Sequence, residues 1–189
     1  MTPTAIHFEN VFHAYEEDTP AIRDISCSIA TGAWTCIIGQ NGSGKTTLIK
    51  HINGLLRPST GSVNVMGNDT RDYSVAQMAH QVSFCFQNPD HQLSQASVGE
   101  EIAFGPHNLG LDEAVVAQYT NEVLAKLGLE PWREAPPTML SLGLRKLVCI
   151  AATMAMNPAV MVLDEPTVGL DYGTTQKVFA VIEEMRQEG

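Results

Sequence analysis

The sequence predicts an α/β fold with an antiparallel β layer at its start and a helical insertion in its second half. Three observations carry that expectation. A glycine-rich run, Gly39-Gln40-Asn41-Gly42-Ser43-Gly44-Lys45-Thr46, stands between an apolar β-rich stretch and a helical one. A short continuous apolar run, Val160-Met161-Val162-Leu163, ends on two adjacent carboxylates, as a buried strand feeding a site would. Between them, residues 97–138 change to a helical period, and 147–156 are apolar nearly all round.

The glycine-rich run matches G-x-x-x-x-G-K-[ST] at every fixed position, and Thr47 follows it. Gly39, Gly42 and Gly44 let the backbone turn tightly and bring its N–H groups close around phosphate oxygens. Lys45 would set a positive charge against the β- and γ-phosphates, and Thr46 would offer its hydroxyl to Mg²⁺. Trp34-Thr35-Cys36-Ile37-Ile38 reads as the buried strand before the loop. Leu48-Ile49-Lys50-His51-Ile52 reads as the helix after it, stopped at Asn53-Gly54. That order aims a helix N-terminus at the anion.

Ahead of this core, residues 5–12 and 21–30 read as two strands, with Glu16-Glu17-Asp18-Thr19-Pro20 turning between them. Tyr15 at the end of the first is either a stacking face for adenine or an ordinary strand-end tyrosine. After Pro58-Ser59-Thr60-Gly61, Ser62–Val65 reads as a strand, and Gln81–Phe86 as another. Gln87 follows it, either a ligand-facing group at a strand's carboxyl end or a plain turn residue. In the insertion, Asp112 can cap a helix carrying Val115, Tyr119, Val123 and Leu127, stopped by Gly128. Pro131, Pro136 and Pro137 make a rigid connection to a helix that starts at Ser141. The strand Val160–Leu163 is followed by Asp164 and Glu165, expensive to bury without a cation or partner. A closing helix over 176–188 turns Val178, Val181, Ile182 and Met185 inward.

The chain has 189 residues, enough for one domain with a real core. Eleven basic against twenty-one acidic residues give a net charge of −10, which disfavours nucleic acid as a partner. No run approaches a transmembrane helix, and the first residues lack the basic and apolar regions of an export signal. Cys27, Cys36, Cys85 and Cys149 form no C-x-x-C pair and read as four reduced core thiols. The six histidines show no metal-binding spacing and read as structural or surface residues.

Together these motifs resemble the nucleotide-binding subunit of an ABC transporter, across essentially the whole chain. Residues 39–46 are similar to Walker A, and Val160–Asp164 with Glu165 to Walker B and its catalytic glutamate. Gln87 matches the Q-loop, Gly169-Leu170-Asp171 the D-loop, and Tyr15 the adenine-stacking aromatic. Leu140-Ser141-Leu142-Gly143-Leu144 lies where the signature L-S-G-G-Q belongs. Phe86-Gln87-Asn88-Pro89-Asp90-His91-Gln92 followed by Ala103-Phe104-Gly105-Pro106 resembles the energy-coupling-factor branch, which drives uptake of vitamins, cobalt or nickel.

The resemblance implies a RecA-like P-loop core from residues 1–90 and 141–189, with residues 91–140 as the helical subdomain. It implies ATP hydrolysis at the cytoplasmic face of a membrane, beside an integral membrane subunit. A second ATPase subunit, identical or different, would complete two composite sites. ATP would be held by residues 39–47 and by Ser141 and Gly143 of the partner copy, and Mg²⁺ by Thr46, Gln87 and Asp164. Glu165 would polarise the attacking water. Leu142 and Leu144 depart from the signature, so one composite site in a dimer is expected to be weakened. A final strand, a switch histidine and a C-terminal extension are expected beyond Gly189, since the last histidine is His107; the chain is therefore expected to be part of a longer protein. The rival readings are a non-transport ABC ATPase acting in DNA repair or on ribosomes, and a P-loop kinase. The first would need coiled-coil inserts, tandem modules or a basic surface, the second an acceptor site and lid.

Overall fold

The computed structural model describes residues 3–16 and 19–188. The chain divides into two compact units, Met1–Val82 and Ser83–Gly189. The first unit is built on a four-stranded antiparallel sheet in the order β2-β1-β3-β4. Its strands are β1 (Thr4–Glu16), β2 (Thr19–Ala30), β3 (Thr60–Val65) and β4 (Asn68–Asp69). This is the expected antiparallel layer, with β1 and β2 longer than the sequence suggested. Glu17 and Asp18, in the expected turn, lie outside the described residues. In register, Ile6 faces Val65 and Phe8 faces Val63, and these four side chains are buried. Such directly opposed apolar pairs stabilise a sheet from one face.

Helix α1 (Lys45–Lys50) begins at the phosphate-loop lysine and ends before Gly54, whose φ of 75° makes the expected left-handed stop. Helix α2 (Val75–Met78) is opened by Ser74 and Gln77 capping each other reciprocally. Residues 34–38, expected as a buried strand, form no strand: Ile38 is 87% exposed and Trp34 48%. Apolar composition does not itself make a strand; a central strand exists only through ladders to neighbours on both sides, and this stretch enters none.

The second unit holds a two-stranded sheet of β5 (Val82–Cys85), whose first residue closes the first unit, and β6 (Val160–Leu163). Around it are α3 (Val98–Asn108), α4 (Glu113–Leu127), α5 (Leu142–Ala155) and α6 (Tyr172–Glu188). The core lies along α5, buried at every position from Lys146 to Ala155, as its all-round apolar sequence predicts. Ile102 of α3, Leu124 of α4 and Val178 of α6 belong to the same cluster. Ile182 and Met185 pack against its edge, as expected.

Three expectations need correction. In α4 the buried face is Val116, Thr120, Val123, Leu124 and Leu127, with Val115 and Tyr119 half-buried. A spacing of four overshoots the 3.6-residue turn, so a stripe read every four residues drifts off the core. In β6 only Val162 is buried, because its sheet continues on one side alone. Of the four thiols, Cys85 and Cys149 are buried but Cys27 and Cys36 are exposed.

Candidate active site

In the first unit, residues 39–44 form an exposed loop without regular structure that runs directly into α1. Gly44 is its pivot. Its φ is +87°, and a Cβ there would stand 2.5 Å from the Ala21 carbonyl oxygen, so no other residue fits. The Ser43 N–H donates to the Gln40 carbonyl at 3.2 Å, closing the turn. The Lys45 ammonium folds back over the loop and donates to the Gly39 and Gln40 carbonyls, each at 2.9 Å. The cation is thus held where a phosphate oxygen can take over its hydrogen bonds. Asn41 and Gly42 complete the exposed rim of the loop, and Thr46 and Thr47 lie in the first turn of α1, Thr47 buried.

Beneath α1, Tyr15 and Thr47 meet two histidines, His13 and His51, that sequence reasoning did not single out. Tyr15, 60% exposed, bonds through its hydroxyl to Thr47 Oγ1 at 3.2 Å. Its ring meets His13 edge-on at 5.0 Å, and His13 meets His51 the same way at 4.9 Å. His51 Nδ1–H donates to the Thr47 carbonyl at 2.7 Å and His13 Nδ1–H to the Arg57 carbonyl at 3.0 Å. Both imidazoles are buried, and among the described residues the Nε2 of each has no hydrogen-bond partner. Burial lowers the His51 pKa. The Thr47 carbonyl raises it, His13 lowers it further, and the Arg57 and Leu48 carbonyls raise it in smaller measure. The Tyr15 ring, expected either to stack or merely to end a strand, is thereby tied to the helix that follows the phosphate loop.

In the second unit, Gln87 follows β5 and the carboxylates follow β6. The Asp164 N–H donates to the Cys85 carbonyl at 3.0 Å, which joins the ends of the two strands. That junction brings Gln87 Nε2 to 2.6 Å from Glu165 Oε2. Asp164 is 6% exposed, and Glu165 has a left-handed backbone with φ +48°. The glutamine and glutamate picked out from the sequence, 78 residues apart, are therefore in direct contact.

The remaining predicted residues gather at the head of α5. Ser141 is its N-cap, its Oγ accepting from the Leu144 N–H at 3.4 Å. Ser141, Gly143, Gly169, Leu170 and Asp171 line one hollow of about 160 Å³. Leu142, 50% exposed, lies over Gly169, where an added Cβ would come within 3.2 Å of its Cδ2. The departure from the signature is thus seated against the D-loop. Asp171 accepts from the Thr174 hydroxyl at 2.6 Å and N–H at 3.0 Å, which hold its carboxyl below the usual carboxylate range. A larger hollow of about 380 Å³ between α3 and α4 contains none of the predicted residues.

Sequence reasoning also passed over Lys146, buried at 1% exposure with its ammonium donating to the Gln87 carbonyl. The adjacent cations Arg145-Lys146 ahead of a ten-residue apolar run were the available signal.

A glycine-rich loop with a folded-back lysine, and a glutamine–glutamate pair at neighbouring strand ends, are features that an ABC-type ATPase domain would carry. The sequence profile of the ABC transporter family matches residues 22–168, and the chain belongs to that family. Among its relatives is an ABC transporter ATP-binding protein of Pyrococcus furiosus, 42% identical over 97% of this chain and 70% of the relative. The energy-coupling factor transporter ATP-binding protein EcfA of Methanothermobacter thermautotrophicus is 41% identical over 97% of this chain and 60% of its own length. The chain thus spans about two thirds of these relatives. The structure of cbiO1 from Clostridium perfringens, part of the ABC transporter complex cbiONQ, superposes with a TM-score of 0.85. That match is at 34% identity and covers 98% of this chain and 75% of cbiO1. The fold is the P-loop NTPase fold of ABC cassettes. Among the described residues no helix is long and apolar enough to cross a membrane.

Proposed function

We propose that the chain is the ATP-binding and ATP-hydrolysing part of an energy-coupling-factor-type ABC transporter, working at the cytoplasmic face of a membrane to import a vitamin or transition-metal ion. The EcfA relatives and the cbiO1 neighbour support the branch. The observation that carries the chemistry is the 2.6 Å contact between Gln87 and Glu165, beside Asp164.

In this reading, ATP phosphates replace the Gly39 and Gln40 carbonyls on the Lys45 ammonium, while the N–H groups of residues 40–47 close around them. Tyr15 stacks on the adenine, its hydroxyl braced by Thr47. Thr46, Gln87 and Asp164 would hold Mg²⁺, an oxygen donor set suited to a hard cation. When bound, that ion neutralises charge on the β- and γ-phosphates. Glu165 accepts a proton from the attacking water, its carboxylate oriented by the Gln87 amide. Ser141 and Gly143 present the head of α5 to the γ-phosphate on a second ATPase subunit. A membrane subunit couples closure and reopening to transport.

Two variants of the whole protein test this. Lys45→Ala removes charge-assisted bonding worth about 1.5–3 kcal/mol in net, so ATP-analogue affinity should fall on the order of ten- to a hundredfold. Glu165→Gln should keep binding, lose on the order of 10²-fold or more in turnover, and accumulate an ATP-bound dimer on size exclusion. Unchanged affinity in the first, or near-normal turnover in the second, refutes the assignment. Co-purification with an integral membrane protein tests the transport role.

A further inference from the structure

Helix α5 carries Ser141 at its head and, just beyond its first turn, two cations that reach the segment after β5. Arg145 pairs with Asp90, and the Lys146 ammonium donates to the Gln87 carbonyl. One turn further, the Cys149 carbonyl accepts from Gln92 Nε2 at 3.1 Å, while Gln92 Oε1 accepts from the Phe86 N–H at 3.2 Å. Residues 86–92 are therefore strapped to α5 at three points. From near the start of the strapped segment, the Gln87 side chain holds the Glu165 carboxylate.

Lys146 is the member of this strap that packing alone does not explain. It is 1% exposed, it opens the buried face of α5, and a buried ammonium is costly to desolvate. If filling space were its task, Leu or Met would do it better.

We propose that Lys146 is a positioning residue for Glu165. Its ammonium fixes the Gln87 backbone and the Gln87 amide in turn fixes the Glu165 carboxylate, so of the three straps it is the one that joins α5 directly to the residue holding that carboxylate. The proposal rests on the reading of Glu165 as general base. It differs from that reading in predicting a backbone effect that needs no turnover to observe.

The test compares Lys146→Met and Lys146→Arg with wild type in the whole protein. In the Met variant, amide hydrogen exchange over residues 86–92 should speed up on the order of tenfold, while the rest of α5 keeps its protection. Its kcat should fall on the order of tenfold or more, with KM for ATP within about twofold. Lys146→Arg, which keeps a donor of similar reach, should restore both. In a Glu165→Gln background the exchange effect should persist and the kcat effect disappear. Equal exchange over 86–92 in wild type and the Met variant overturns the proposal, whatever the activity. A wild type that neither binds nor hydrolyses ATP overturns the function above instead. If the Met variant does not fold, Lys146→Gln takes its place. Failure of both to fold, beside a normal Arg variant, makes Lys146 a packing residue and overturns the assignment.

Discussion

His51 is neutral for a reason that can be measured. Its Nδ1–H is engaged by the Thr47 carbonyl and its Nε2 has no partner among the described residues, so a second proton would place a buried charge against His13. Burial, the main cause, lowers its pKa below the ordinary histidine value. The unfolded chain therefore takes up this proton first, and stability rises with pH through that window. Stability is complete above the unfolded value of about 6.5 and is lost as pH falls toward the folded pKa, at up to about 1.4 kcal/mol per pH unit. Urea unfolding of wild type and His51→Leu at about pH 7.5 and 5.5 checks this, and wild type should lose more stability on acidification. An equal or smaller loss contradicts the sign. Neither His51 nor Lys146 was legible in the sequence. A polar residue at the edge of an apolar run looks alike whether exposed, satisfied or orphaned, and only its neighbours in the fold decide. Ser141 was legible because its role is local: a hydroxyl before an apolar helix has a donor three residues on.

At the scale of elements, the β1–β3 pairing turns on Gly61. A Cβ there would stand 2.3 Å from the Asn10 carbonyl oxygen and 2.4 Å from that of Glu9, at a φ of +81°. Both obstacles are backbone, and Asn10 itself is left-handed at a register shift in β1, its side chain bonded to Asp24 at 3.0 Å. Gly61→Ala should therefore cost more than about 2 kcal/mol, read as a lower urea midpoint with an unchanged slope. A loss under about 0.5 kcal/mol would mean that the strands separate there at little cost. Elements announced by their own residues, such as the glycine-rich loop, α5 with its cap, and Gly54 and Gly128 as stops, were legible. The stretch 34–38 was not, because hydrogen-bonding neighbours make a strand and composition cannot supply them. The burial of β6 was overestimated on the same ground.

Over the whole molecule, charge and exposed apolar surface act against each other. Trp34, Ile37 and Ile38 stand exposed together, while a net charge of −10 keeps copies apart at neutral pH. That protection vanishes near the isoelectric point of about 4.9, where turbidity should peak. Ile38→Glu should lower the peak, since it breaks the apolar patch and adds a charge; equal turbidity in both chains would locate the contact elsewhere. The fold class was legible because five spaced motifs fixed the order of strand ends, loops and caps. The joining of Gln87 to Glu165 was legible only as chemistry, since it depends on two strand ends meeting across 78 residues.

Glu165 holds a left-handed backbone, φ +48°, that an L-residue other than glycine adopts at a cost of about 1–2 kcal/mol. Its carboxylate is thus maintained against the preference of its own main chain. Glycine at this position would relax the backbone and delete the proposed base in one step, so on that proposal thermal robustness and turnover pull in opposite directions there. A lineage released from the need to split nucleotide would gain by changing this residue early, and a glycine in its place would mark a descendant that had become a passive scaffold.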